Sequence, residues 1–232
     1  MSLPFEWSHF PFVFLAIILA FTLHEFAHAV TAYRFGDATA YEHGRVTLNP
    51  VSHVSLIGLL FIFLLGFGWA RPVPVNRSHF KYPRMMGITV SAAGPLSNLL
   101  IAVAAASVIY ALFATGWLQE TSIGVTRAVA LTFFYLVHLN MLLFIFNLIP
   151  LPPLDGYRIV EDLAPTALRR KMVQYETWGV YIFLLIVFIT PIFNVTIGPI
   201  LGQVADWRNG LMEQMSGVFG VEIDWPHMFG RT

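Results

Sequence analysis

Apolar positions in this chain gather into long uncharged runs separated by short polar stretches. Residues 10–23, 46–70, 85–119, 128–154 and 177–205 contain no Asp, Glu, Lys or Arg. A helix needs about 20 mostly apolar residues to cross a bilayer, so four or five of these runs are candidate spans. The first begins at Phe10 and extends to Phe35, where Gly36 and Asp37 supply a stop. Residues 38–48 set Tyr41, Val46, Thr47 and Leu48 around Glu42-His43-Gly44-Arg45, the composition of a short strand or hairpin. Asn49-Pro50 ends it. Residues 54–67 are apolar but too few for an ordinary span, which predicts a re-entrant or interfacial segment. A basic, proline-broken loop over 71–84 leads into the longest span, 86–113, where Pro95 predicts a kink or a local opening. Residues 128–149 span again until Pro150, Pro152 and Pro153 end the helix and hold Asp155 at its mouth. A last span begins over 178–190, bent or ended by Pro191 and Pro199, and residues 206–232 read as an amphipathic helix on the membrane surface. The expectation is an all-α polytopic membrane protein. It would be a bundle of about four to six transmembrane helices with a small re-entrant or β-hairpin element after the first. We expect one integral membrane domain over 1–232, with its core at about 10–160 and the last transmembrane segment and amphipathic tail over 175–232.

Composition strengthens this picture. Hydrophobic residues make up 57% of the chain and charged ones only 11%, against about 25% charged in an ordinary soluble domain, and mean hydropathy is +0.70. The 13 basic and 13 acidic residues cancel, with no basic cluster of the density that nucleic acid requires, so no nucleic-acid partner is expected. There is no cysteine. That excludes disulfides, thiolate catalysis and every Cys-containing metal site, and any metal must take histidine and carboxylate ligands. The first ten residues hold Glu6 and no basic residue, unlike the positive start of a secretory signal, so the first apolar segment is expected to be retained.

The chemistry concentrates in His24-Glu25-Phe26-Ala27-His28. Helical residues i and i+4 share a face, so His24 and His28 can present imidazole nitrogens to one metal with Glu25 beside them. Such residues inside an apolar span are costly unless bound, paired or wet. A catalytic zinc takes three protein ligands and keeps one position open. Asp155 is the best-placed candidate for the third, since Glu161 and Asp162 fall in a more polar, solvated stretch. Zinc lowers the pKa of bound water to about 7, and Glu25 could take its proton and later pass it to a leaving amine, which is amide hydrolysis. A metal or proton transporter using the same His and Asp residues, or a catalytically silent membrane scaffold, are the alternatives. Glu25 separates them, because a transporter needs no general base next to its ligands.

If His28 and Asp155 meet one metal, the helices that carry them must run in the same direction with one crossing between them. The run over 86–113 supplies that crossing. Arg34, Arg45, Arg71, Arg77, Lys81 and Arg84 then share a face with Arg158, Arg169, Arg170 and Lys171, while the opposite turn holds only Arg127. The positive-inside rule puts the basic face, and the site near it, toward the cytoplasm; in a prokaryote the membrane would be the cell membrane.

His24-Glu25-Phe26-Ala27-His28, Gly44 through Asn49-Pro50 to His53, Gly68-Trp69-Ala70-Arg71-Pro72-Val73-Pro74-Val75, Ala93-Gly94-Pro95-Leu96-Ser97-Asn98, and Phe146-Asn147 through Pro152-Pro153-Leu154-Asp155-Gly156 occur in order. Together they resemble the site-2 protease family of intramembrane zinc metalloproteases. The resemblance implies that His24, His28 and Asp155 ligate one catalytic zinc ion, that Glu25 is the general base, and that Asn147 holds substrate or stabilises the oxyanion. For Asn147 a plain bond to its own helix backbone is an equal reading. The implied activity is hydrolysis of a peptide bond in or near a transmembrane segment of a membrane-protein substrate, as in regulated intramembrane proteolysis. The lipid bilayer is its setting, with room for a regulatory membrane partner. No stretch is long and polar enough for the PDZ or CBS modules that family members often carry, so this is a short form. The family's substrate helix unwinds before it is cut, and the edge of a strand near 42–48 would be one place to receive it.

Other polar residues have quieter readings. Asn140 is expected to bond between helices, Gly94 and Pro95 to permit close helix approach, and Asn98 to cap the kink or face the cavity. His53 could line the site or pack at the interface. His138 reads as a satisfied buried histidine, and His9, His43, His79 and His227 as loop or surface residues.

Overall fold

The computed structural model describes residues 6–65 and 68–230. Its elements are helical: α1 (Phe10–Arg34), α2 (Thr39–Glu42), α3 (Leu56–Leu65), α4 (Pro83–Ala114), α5 (Ile123–Asn147), α6 (Asp155–Leu163), α7 (Thr166–Phe188), α8 (Thr190–Val195), α9 (Ile197–Phe219) and α10 (Trp225–Met228). Among the described residues, three helical stretches are long and apolar enough to cross a membrane: Trp7–Arg34, Pro83–Ala114 and Ile123–Asn147. These three pack together. Going one turn along α1 from His24 to His28 moves the contact on α4 back from Asn98 to Val90, so α1 and α4 are antiparallel. The start of α1 meets the middle of α5 through His9 and Tyr135 while its other end faces Asp155, so α1 and α5 run parallel. The single intervening crossing predicted from the sequence is therefore α4, which continues unbroken through Pro95.

In hydrocarbon, helices gain little by hiding apolar surface from lipid and associate through close packing and a few hydrogen bonds. The seams match that logic. Ala16, Ala20, Ala29 and Ala32 of α1, Ala102 and Ala106 of α4, and Ala130 of α5 are fully buried, letting backbones approach. The Asn98 side-chain amide donates to Asn140 Oδ1 at 2.8 Å, the interhelical bond expected of Asn140.

Several expectations are corrected. Among the described residues there is no strand, and residues 38–48 form α2 and a turn at Gly44, whose φ is +64°. Local and inward bonds win there because no neighbouring strand is available to pair. Asp37 caps the Thr39 N–H, and the buried Arg45 guanidinium donates to the carbonyls of Arg71 and Pro72. In α3, helical over 10 residues, the length is roughly 15 Å, half of a bilayer's hydrocarbon core; residues 66–67 of that apolar run lie outside the described residues. The returning chain presses on it, because a Cβ on Gly58 would sit 2.0 Å from the Trp69 carbonyl oxygen. The tail's α9 packs against α4 and α5. Its apolar face is covered by α4 and α5, with Val204 and Met212 of α9 buried among Ala102, Ala105 and Ala130, and the Trp225 ring tilted against Phe134. Alanines leave a groove on the α4–α5 pair, and α9 fills it. His9 is likewise buried, with Nδ1 3.0 Å from the Tyr135 hydroxyl, rather than on the surface.

Candidate active site

His24, Glu25 and His28 lie in the second half of α1, all buried, on the side that faces α4. Each histidine has one ring nitrogen committed. His28 Nδ1 is 2.7 Å from the Val90 carbonyl, which can only accept, so Nδ1 carries the proton. His24 Nδ1 donates to Asn98 Oδ1 at 2.6 Å, and the Asn98 amide nitrogen is in turn used on Asn140. Both Nε2 atoms are therefore bare lone pairs, and they face each other at 3.0 Å. Asp155 Oδ2 stands 3.2 Å from one and 3.3 Å from the other, buried and with no hydrogen-bond donor.

Three acceptors converging on one point repel unless a cation lies among them. Ligands about 2.0–2.1 Å from a tetrahedral zinc are roughly 3.3 Å apart, which is close to the spacing here. The donor set of two imidazoles and one carboxylate suits zinc. His24, His28 and Asp155 thus form a group that could hold a metal ion.

Asp155 reaches this point because of what precedes it. The sequence Pro150 to Leu154 turns the chain after α5, and Asp155 is the first residue of α6. Gly156 lets that turn close, since a Cβ there would be 2.2 Å from the Leu148 carbonyl oxygen. Gly94 of α4 does the same for the histidines: a Cβ on it would lie 2.3 Å from His28 Nε2 and 2.6 Å from His24 Cε1. The close approach read from Gly94 and Pro95 is thus specifically an approach to the imidazoles.

Glu25 accepts a hydrogen bond of 3.0 Å from the Val73 N–H, which belongs to the non-helical segment after α3. That segment is pinned in place by the Arg71 N–H, which donates to the His53 carbonyl at 2.7 Å, and by Arg45. His53 itself is fully buried and donates from Nε2 to the Thr47 carbonyl; it packs beneath the segment and does not line the cavity. Burial lowers its pKa, so the ring stays neutral. A cavity of about 840 Å³ opens in front of His24, Glu25, His28 and Asp155, with Phe21, Trp69, Phe146 and Phe183 on its walls. Asn147 also lines this cavity, and its side-chain nitrogen donates to the Leu143 carbonyl at 3.0 Å.

Sequence reasoning placed Asn98 only loosely and did not find the Val90 carbonyl at all. Both fix the histidine tautomers, a role that metal-bound histidines generally require of a second partner. The Ala93-Gly94-Pro95-Leu96-Ser97-Asn98 pattern was the available signal for Asn98; a backbone carbonyl leaves none. Asn98→Ala is expected to weaken zinc binding by about 10- to 100-fold, measured by competition with a chelator, and an unchanged affinity would show that Asn98 serves packing alone. Glu161 and Asp162, expected in a solvated stretch, are both 2% exposed. Three arginines surround them, and the burial is possible only because of that pairing.

Comparison with known proteins gives the chain's family. The model of peptidase family M50 matches residues 12–190. A Bacillus subtilis (strain 168) protein named as a zinc metalloprotease, YwhC, is 43% identical over 217 residues, covering 94% of this chain and 96% of that one. A Mycolicibacterium smegmatis protein named as the zinc metalloprotease Rip2 is 31% identical over 195 residues, 78% of this chain and 70% of its own. Its Mycobacterium tuberculosis (strain H37Rv) namesake is 32% identical over 190 residues, 80% of this chain and 69% of its own. No solved structure matches the chain. With apolar helices long enough to span, a group that could hold a metal ion and a family match over most of its length, the chain belongs to peptidase family M50, the site-2 protease family, and is a multi-pass membrane zinc metalloprotease.

Proposed function

We propose that this protein is an intramembrane endopeptidase that cuts a peptide bond within or near a transmembrane segment of another membrane protein, acting in regulated intramembrane proteolysis. The observation that carries the reading is the convergence of two bare imidazole nitrogens and an undonated carboxylate oxygen beside Glu25, in a cavity bounded by spanning helices. His24, His28 and Asp155 hold one zinc ion in this reading. A zinc ion held there would supply a water of lowered pKa and a Lewis acid for the scissile carbonyl. Glu25, beside the ligands, would serve as the general base and acid that takes up a proton from the attacking water and returns it to the leaving amine. Asn147 lines the cavity while donating to the Leu143 carbonyl, and in this reading it would hold the substrate carbonyl or the oxyanion.

A helical substrate shields its own peptide bonds, and once unwound in hydrocarbon it needs new partners. The structure has no strand near 42–48 to offer them. The non-helical segment 68–76 runs past Glu25 instead, and Pro72 and Pro74 keep it from pairing into a helix or a closed ladder. An unwound peptide would lie along it. Arg34, Arg84, Arg158 and Arg169 all gather at the site end of the bundle, which supports a cytoplasmic position for that end.

The test is co-expression with single-span membrane proteins. Cells carrying the native chain should yield a shortened substrate cut at membrane depth, and stripping zinc from the purified protein should stop the same cleavage in liposomes. Cleavage confined to soluble peptides, with membrane substrates left whole, would refute the intramembrane assignment while leaving the protease intact.

A further inference from the structure

Asp155 is the first residue of a helix only nine residues long, and the far end of that helix is held by an ion cluster. The Glu161 and Asp162 side chains, at 3% and 0% exposure, are adjacent acids that could not be buried together without cations. Arg77 Nη1 reaches Asp162 Oδ1 at 2.9 Å and Glu161 Oε1 at 3.5 Å. Arg158 donates to Glu161 Oε2 at 3.0 Å and pairs with Glu176 of α7, and Arg169 lies 3.4 Å from Asp162 and 3.5 Å from Glu161. The three arginines and three carboxylates balance in charge. Gly87 of α4 makes the space, because a Cβ there would lie 2.4 Å from Asp162 Oδ2.

Arg77 differs from the other two arginines in where it comes from. Arg158 sits on α6 itself and Arg169 on α7, whereas Arg77 follows directly on the non-helical segment that bonds Glu25. That segment is bonded at Val73 to the Glu25 carboxylate. It is bonded again at Asn76 and His79 to Asp37, just past the end of α1, at 2.6 and 3.0 Å. Burial alone would raise the pKa of Asp37, but its hydrogen bonds from Thr39, Asn76 and His79 outweigh burial and hold the carboxyl below its ordinary range. The anchor is therefore a carboxylate with every oxygen in use. The path Glu25, Val73, Asn76, Arg77, Asp162 is a continuous polar strut from α1 to α6.

We propose that Arg77 is a positioning residue for the metal site, setting the distance between Asp155 on α6 and the two histidines on α1 by fixing α6 to this strut through Asp162. The inference rests on the reading of His24, His28 and Asp155 as metal ligands. A metal site depends on its ligands being held by rigid supports to within fractions of an ångström. Two of the ligands share α1 and need no help to stay together. The third arrives on a short helix after a proline-broken turn, and the strut is the polar tie of that helix to α1, beside its packing on α4.

The experiment uses the purified full chain and zinc alone. Zinc affinity is read by competition with a fluorescent chelator and folding by the thermal midpoint of the zinc-free protein. Arg77→Met combined with Asp162→Asn removes the bridge and keeps the cluster's charge balanced. It should leave the zinc-free midpoint near that of the parent and weaken zinc binding at least tenfold. Arg77→Lys keeps the charge but loses the planar fork, and its affinity should fall between the two. Parent-like zinc affinity in the double variant would overturn the proposal. If that variant does not fold, parent-like affinity in Arg77→Lys overturns it equally. A parent protein that binds no zinc would defeat the metal-site reading and the inference with it, whereas a zinc-binding parent matched by its variants defeats the positioning role alone.

Discussion

Glu25→Gln is expected to lower peptide cleavage by roughly a hundredfold to ten-thousandfold while one zinc ion stays bound. The substitution is nearly isosteric, and the amide oxygen can still accept the bond that the Val73 N–H now makes to the carboxylate, so the segment over the cavity should stay in place. None of the three converging atoms belongs to Glu25. What the variant loses is a group able to take a proton from water and return it. Zinc content by elemental analysis and cleavage of a co-expressed single-span protein are the two readouts, and the expected pair is parent-like zinc with uncut substrate accumulating. Normal cleavage would remove Glu25 from the mechanism. A transporter built on the same ligands would go on moving its ion in this variant, so the experiment also separates the two classes of function.

Gly94→Ala is expected to cost the protein its zinc, a larger effect than one methyl group usually has. The new carbon would arrive 2.3 Å from His28 Nε2 and 2.5 Å from His28 Cε1, far inside van der Waals contact. An imidazole cannot flex out of the way as a long aliphatic side chain can. Each ring is held at its other nitrogen, His28 by the Val90 carbonyl and His24 by Asn98. Either α4 moves away from α1, breaking those bonds, or the rings turn and the Nε2 atoms no longer converge on Asp155. Overpacking of this kind typically costs about 1–3 kcal/mol, a range that a bundle with several alanine seams can absorb. The expected result is a folded protein with zinc affinity reduced by more than a hundredfold and no measurable cleavage. A Gly94→Ala protein with full zinc and activity would mean that the helices do not approach as described. As a control, Gly210→Ala on α9 has open space around its Cβ and should behave like the parent.

Much of this protein was legible in its residues before any tertiary information. The uncharged runs mark the three helices that, among the described residues, are long and apolar enough to span, and the four to six expected spans would need further crossings from the shorter or more polar helices. α3 is too short to cross, and α7 carries Arg169, Arg170, Lys171 and Glu176 in its first half. Apolar character alone cannot distinguish a segment that crosses lipid from one that packs against a neighbour. The strand expected over 38–48 failed for a related reason. β-propensity describes how a residue fits a pleated neighbour, and no neighbour was there; Arg45 and Asp37 found partners elsewhere. The buried acids of α6 were misread because a charged stretch looks solvated until its counter-ions are located, and Arg77 is 84 residues away from Glu161 in the chain.

The sequence by itself determined the parts of the site that depend on local geometry. The spacing of His24 and His28 puts both on one face of any helix, Glu25 follows from adjacency, and the proline-rich turn before Asp155 stops α5 where a carboxylate can face inward. Tertiary structure alone decided how those pieces are held. The register of α4 against α1 chose Asn98 and the Val90 carbonyl as the partners that leave both Nε2 atoms bare, made Gly94 the point of closest approach, and brought Arg77 to the buried acids. Register is set by the sum of many small contacts along two helices. No single residue encodes it, so these supports became visible only once the helices were packed.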